Sequence, residues 1–84
     1  MSRIDFEPAA RRYLSGRFKT DPAGVQQVLD SVNLLPGNPR PDGAFAMGSD
    51  RFRIRIGFYR VIYVVKQHKP VVLLVEHVGH ANRP

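Results

Sequence analysis

Hydrophobic and polar positions alternate without a break along Arg51-Phe-Arg-Ile-Arg-Ile56. Arg51, Arg53 and Arg55 fall on one side and Phe52, Ile54 and Ile56 on the other, the period-2 pattern of a half-buried strand. Gly57-Phe58 then marks a tight reversal. Tyr59–Lys66 and Val71–Val78 follow as two more strands, joined by Gln67-His68-Lys69-Pro70. Both are apolar on both faces, which predicts central strands covered on each side. Near the N-terminus, Ile4 and Phe6 alternate with polar residues in a short strand, Arg3–Glu7. Pro8 suits the first turn of a helix, where its missing N–H costs nothing. That helix reads from Pro8 to Gly16, with an end as late as Phe18, and turns Ala9, Ala10, Tyr13 and Leu14 inward. Asp21-Pro22 is a stronger start signal, an N-cap followed by proline. Val25, Val28, Leu29 and Val32 recur behind it at helical spacing and place a second helix over 22–34.

Three prolines and two glycines between Pro36 and Gly43 predict a loop. Ala44–Met47 reads as a brief edge strand before Gly48-Ser49-Asp50 turns the chain. The order β-α-α-(β)-β-β-β predicts an α+β fold, two helices packed on one face of an antiparallel sheet of about four strands. The 84 residues, 9.5 kDa, are read as a single domain, 1–84.

Composition narrows the chemistry. A hydrophobic content of 43% excludes a disordered chain. The sequence has no cysteine, which removes a disulfide scaffold, a thiolate metal site and a cysteine nucleophile, and fits a reducing compartment. The longest apolar run, Val71–Val75, is far below the ~18–20 residues that span a bilayer, and Met1–Asp5 lacks the apolar core of a signal peptide. The expectation is a soluble cytoplasmic protein with no membrane partner. Charge is informative by position: residues 1–50 balance six Lys/Arg against six Asp/Glu, whereas 51–84 hold seven Lys/Arg and one acid, Glu76. The whole excess of +6 therefore sits in the C-terminal strands, which points to a polyanion, nucleic acid first.

RNA carries its own nucleophile, the 2′-hydroxyl. Its cleavage needs in-line geometry, a proton acceptor, a proton donor and positive charge on the developing oxyanions. Arginine supplies that charge through a bidentate fork to phosphate oxygens. No metal-ligand spacing accompanies the basic strands, so neither a metal nor another cofactor is expected, and a His77/His80 metal pair lacks further ligands. The plain alternative for Arg51, Arg53 and Arg55 is a solvated face. For Arg60, a charge inside an apolar strand, it is an ion pair with Glu76. His77, within a strand, is read as a satisfied structural histidine, and His68 in the hairpin turn is given no role.

The stretch Arg53-Ile-Arg-Ile-Gly-Phe-Tyr-Arg-Val-Ile-Tyr63, with Val71-Val-Leu-Leu-Val75, Val78-Gly-His80 and Phe6-Glu-Pro-Ala-Ala10, resembles the RelE/ParE toxin superfamily. Gly57-Phe-Tyr-Arg-Val-Ile-Tyr63 is the most specific part, and the resemblance covers nearly the whole chain. It implies the toxin of a type II toxin–antitoxin pair with an acidic antitoxin as partner. In the RelE-like branch such a toxin is a metal-independent endoribonuclease that cuts mRNA on the ribosome, beside the 16S rRNA. In the ParE branch the same scaffold inhibits DNA gyrase without cutting RNA, a catalytically weakened RNA-binding member of the same fold is a third alternative, and fold alone does not choose among them. The resemblance implies catalytic positions at Arg53, Arg55 and Arg60, with Arg60 on the scissile phosphate, and at His80, as proton donor or, since arginine is a poor base, as the base instead. Arg51, Tyr59 and Arg83 are the implied RNA contacts, Tyr59 or Phe58 offering a surface on which a base can stack. Two departures stand out: Ala81 replaces an arginine of the nuclease branch, which Arg83 would have to supply, and the later stacking aromatic has no counterpart before Pro84.

Overall fold

A computed structural model describes residues 1–81. Strand β1 (Arg3–Phe6) leads into helix α1 (Pro8–Phe18) and helix α2 (Pro22–Leu34), which closes in a 3₁₀ turn at Leu35–Gly37. A loop then reaches β2 (Phe45–Ala46), β3 (Arg51–Ile56), β4 (Tyr59–His68) and β5 (Val71–His80). The strands form one sheet in the order β1-β5-β4-β3-β2. Both helices begin at proline, and the Asp21 carboxylate caps α2 by accepting from the Gly24 N–H at 3.1 Å.

The sheet is mixed, with five strands rather than about four antiparallel ones. β1 lies parallel to β5, with Ile4 opposite Leu73 and Phe6 opposite Val75, while the remaining pairs are antiparallel. The chain from β1 to its parallel partner runs through both helices and β2–β4 before returning as β5, a connection long enough for parallel pairing.

The helices cover one face of the sheet. Ala10 and Leu14 of α1 and Val25, Val28 and Val32 of α2 pack with Phe52, Ile56, Val61, Tyr63, Val65, Leu73, Val75 and Val78. Ala9 is exposed instead of turned inward. The second covering layer expected over β4 and β5 is missing as well: Ile62, Val64, Val72 and Leu74 point to the other face and are half-buried among neighbouring side chains. Arg51, opposite Val64, reaches over β4 to Glu76 on β5, and its aliphatic stem shields that apolar strip.

Strands β4 and β5 both run two residues beyond their expected ends at Lys66 and Val78, to His68 and His80, so His68 belongs to β4 and pairs with Asp50 at 3.0 Å. Gly57 at φ +60° and Phe58 join β3 to β4. Glycine in the first position of a two-residue hairpin loop with left-handed φ suits the twist of the strands it joins. A side chain at 57 would also stand 2.9 Å from Gln27 Oε1.

One irregularity decides the arrangement of the site. Ile62 pairs with His77 and Tyr63 with Val75, which leaves Glu76 as an extra residue in β5. This β-bulge shifts the alternation by one. Before it, odd-numbered residues of β5 face the helices (Leu73, Val75); after it, even-numbered ones do (Val78, His80).

Candidate functional site

The helix-free face of β3 and β4 gathers the guanidinium groups. Arg53 is opposite Ile62, and Arg55 is opposite Arg60, so all three arginines project from the same face of two adjoining strands. Together with Phe45 and Gly43 they line an open concavity of about 430 Å³. Phe45 sits opposite Arg53 on β2, and the Arg53 guanidinium lies 4.8 Å above the centre of its ring. Arg55 Nε donates to the Gly57 carbonyl at 3.1 Å, which fixes its stem at the turn. Among the described residues, Arg53, Arg55 and Arg60 have no carboxylate partner within 4 Å. The concavity is a cationic pocket with one aromatic wall, suited to a phosphate and an attached base.

Arg51 stands apart. Its Nε and one terminal nitrogen bind Glu76 Oε1 and Oε2, each at 2.9 Å, in a bidentate pair. The pairing raises the Arg51 pKa and holds the Glu76 carboxyl below the usual carboxylate range. Glu76 is thus committed to Arg51, and Arg60 projects into the concavity. As an RNA contact, Arg51 is already neutralised by its neighbour.

Tyr59 and His80 lie on the opposite face. Tyr59 is buried, with 2% of its surface exposed, so it offers no platform to a base. Its hydroxyl donates to Asp21 Oδ2 at 2.6 Å and accepts from Arg17 Nε at 3.3 Å, joining the start of α2 to the end of α1. The hydrogen bond to Asp21 raises the Tyr59 pKa above its ordinary value and lowers that of Asp21. His80 follows the bulge onto this helix side, edge-on to Tyr59 at 5.7 Å and stacked on the exposed ring of Phe58 at 6.4 Å. The expectation that His80 joins the arginines is therefore not met. The reason is the inserted Glu76, which reverses the parity of every later residue in β5. Phe58, at the turn, keeps a free ring face; Arg83 lies outside the described residues.

The same shift brings forward a residue that the sequence had left in the interior. His77 is exposed and lies opposite Ile62, on the face of Arg53 and Arg60. Phe45 was also missed, although its place in the expected edge strand beside the arginine stripe was a usable signal. Ala81 is buried, and its N–H donates to the Phe58 carbonyl at 2.7 Å.

No family model matches the chain, and no curated protein does. Solved structures match it over almost its full length. The isolated Escherichia coli RelE toxin superposes with a TM-score of 0.74 at 25% identity, covering 96% of this chain and 85% of the toxin. The E. coli RelBE toxin–antitoxin complex gives 0.73 at 25% identity, with 95% and 96% covered. The archaeal RelE–RelB complex from Pyrococcus horikoshii gives 0.77 at 23% identity, with 99% and 98% covered. The chain has the fold of the RelE toxins.

Proposed function

We propose that this chain is the toxin of a type II toxin–antitoxin pair and that it cuts mRNA on the ribosome without a metal. The observation that carries this reading is the concavity in which Arg53, Arg55 and Arg60 converge with no acid among the described residues to neutralise them. Three guanidiniums around one phosphodiester can hold it in line and stabilise the negative charge that grows on its oxygens. The RNA 2′-hydroxyl attacks phosphorus, giving a 2′,3′-cyclic phosphate and a 5′-hydroxyl. Arg60, opposite Arg55 and next to the apolar strip, faces the phosphorane; Arg53 and Arg55 orient the sugar-phosphate from β3. Phe45 supplies the aromatic wall that Tyr59 cannot. The partner is an acidic antitoxin, a reading supported by the RelE–RelB and RelBE assemblies of like fold and by the basic C-terminal strands.

The test is to express the chain in cells and map mRNA 5′ ends. Cuts phased with codons that disappear with Arg60→Ala support the nuclease. Intact mRNA overturns it. A second reading, a ParE-like inhibitor of DNA gyrase, is favoured by Ala81, which is buried where the nuclease branch carries an arginine. Intact mRNA together with trapped gyrase–DNA complexes would select it.

A further inference from the structure

We propose that His77 is the proton acceptor of the cleavage reaction, an assignment that rests on the nuclease reading above. The reaction needs a base, and arginine, with a pKa above about 12, is a poor one. On the helix-free face of the sheet, His77 is the histidine that the bulge delivers to the arginine cluster.

Two observations place its imidazole. His77 pairs with Ile62, which in turn pairs with Arg53. Gly79, two residues on, is the cross-strand partner of Arg60, and a Cβ at Gly79 would stand 2.8 Å from His77 Nε2. The ring therefore leans along β5 into space that any other residue at 79 would fill. That puts Nε2 beside the root of the Arg60 side chain, since directly opposed side chains start about 5 Å apart. Gly79 is the vacancy that admits the ring. The charged groups on this face are Arg60 on β4, Arg53 and Arg55 on β3, Glu76 on β5, held by Arg51 and near Lys66, and the paired Arg3 and Asp5 on β1. Among the described residues nothing hydrogen-bonds the His77 ring, so a neutral Nε2 is open to a substrate hydroxyl.

Neutral Nε2 takes the proton of the 2′-hydroxyl as the O2′–P bond forms and the P–O5′ bond breaks. The departing 5′ oxygen takes a proton from water, and the resulting hydroxide returns the imidazolium to its neutral form.

The assignment is tested with the full-length toxin on programmed ribosomes, under single-turnover conditions, as a function of pH. A positioned base contributes roughly 10²–10⁴-fold. The wild-type rate should climb with pH and then level off, as a reaction limited by a base in its unprotonated form does. His77→Gln should lower the plateau about 10²-fold and remove that limb. Gly79→Ala, whose methyl displaces the ring without deleting it, should slow the reaction while thermal unfolding stays near wild type. Arg60→Ala should lower the rate at every pH and keep the limb. If His77→Gln cuts at the wild-type rate with the limb intact, or if His80→Gln removes the limb instead, the His77 assignment is overturned and the nuclease reading stands. If the wild type leaves the message uncut, both are overturned.

Discussion

Arg55 and Arg60 are direct cross-strand partners on the helix-free face of the sheet. Like charges placed opposite each other weaken a strand pair. Among the described residues no carboxylate relieves this one. A sheet that keeps such a pair sacrifices stability where a phosphate would be held, the pattern of a functional site. Arg60→Ala should therefore lower ribosome-dependent cleavage about 10²–10³-fold. It should leave the unfolding temperature unchanged or slightly raised. Single-turnover rates and calorimetry on one preparation check both halves, and a variant that loses activity by unfolding would contradict the second.

Ribosome binding should weaken steeply with salt, because each guanidinium on a phosphate releases condensed counterions. The slope of log affinity against log salt should become shallower by about one unit for Arg53→Ala and again for Arg55→Ala. Arg51→Ala should change the slope less, since Glu76 already holds that guanidinium. Filter binding over a salt series measures all three.

The Tyr59–Asp21 hydrogen bond links stability to pH at both ends of the scale. The Asp21 pKa is lowered by Tyr59 first, then by the Gly24 N–H. Its contribution is therefore present above the ordinary carboxylate range near 4 and is lost as pH falls through the depressed value. The Tyr59 pKa is raised, chiefly by Asp21, so its contribution holds below about 10 and is lost as pH rises through the elevated value. Tyr59→Phe should lower the unfolding temperature at neutral pH and flatten its fall at both extremes. Equal shifts at every pH would disprove the linkage.

Leu73 is fully buried in the strand between β1 and β4. Leu73→Ala should cost about 2–5 kcal/mol in denaturant unfolding, as large-to-small changes in a packed core do. That is a large share of the total for so small a domain.

The helices and three long strands were legible because their signals are local. Pro8 and Asp21-Pro22 mark helix starts, and Arg51–Ile56 alternates so strictly that the face of its three arginines follows from parity alone. The Gly-Phe-Tyr-Arg segment extended that face to Arg60, since a two-residue turn at Gly57-Phe58 fixes the register. Three features depended on pairing, which no single strand encodes. β1 joins β5 in parallel, an outcome set by how α1 and α2 pack. Arg51 finds Glu76 across an intervening strand. The bulge at Glu76 exchanges the faces of His77 and His80, because an unpaired residue in β5 is visible only against β4. Tyr59 needed no pairing to place: as the neighbour of Arg60 it falls on the helix side by alternation, but its motif reads as a recognition aromatic while its hydroxyl ties two helices together.

The bulge also makes the last strand a hinge between two vocabularies. Removing the extra residue, Glu76, would restore one-to-one pairing with β4 and leave His77 opposite Ile62 and His80 opposite Tyr59, each on its present face. Only a strand that kept all its residues and lost the bulge would change faces: Glu76 would then sit opposite Ile62, His77 opposite Val61 in the apolar layer, and His80 on the arginine side.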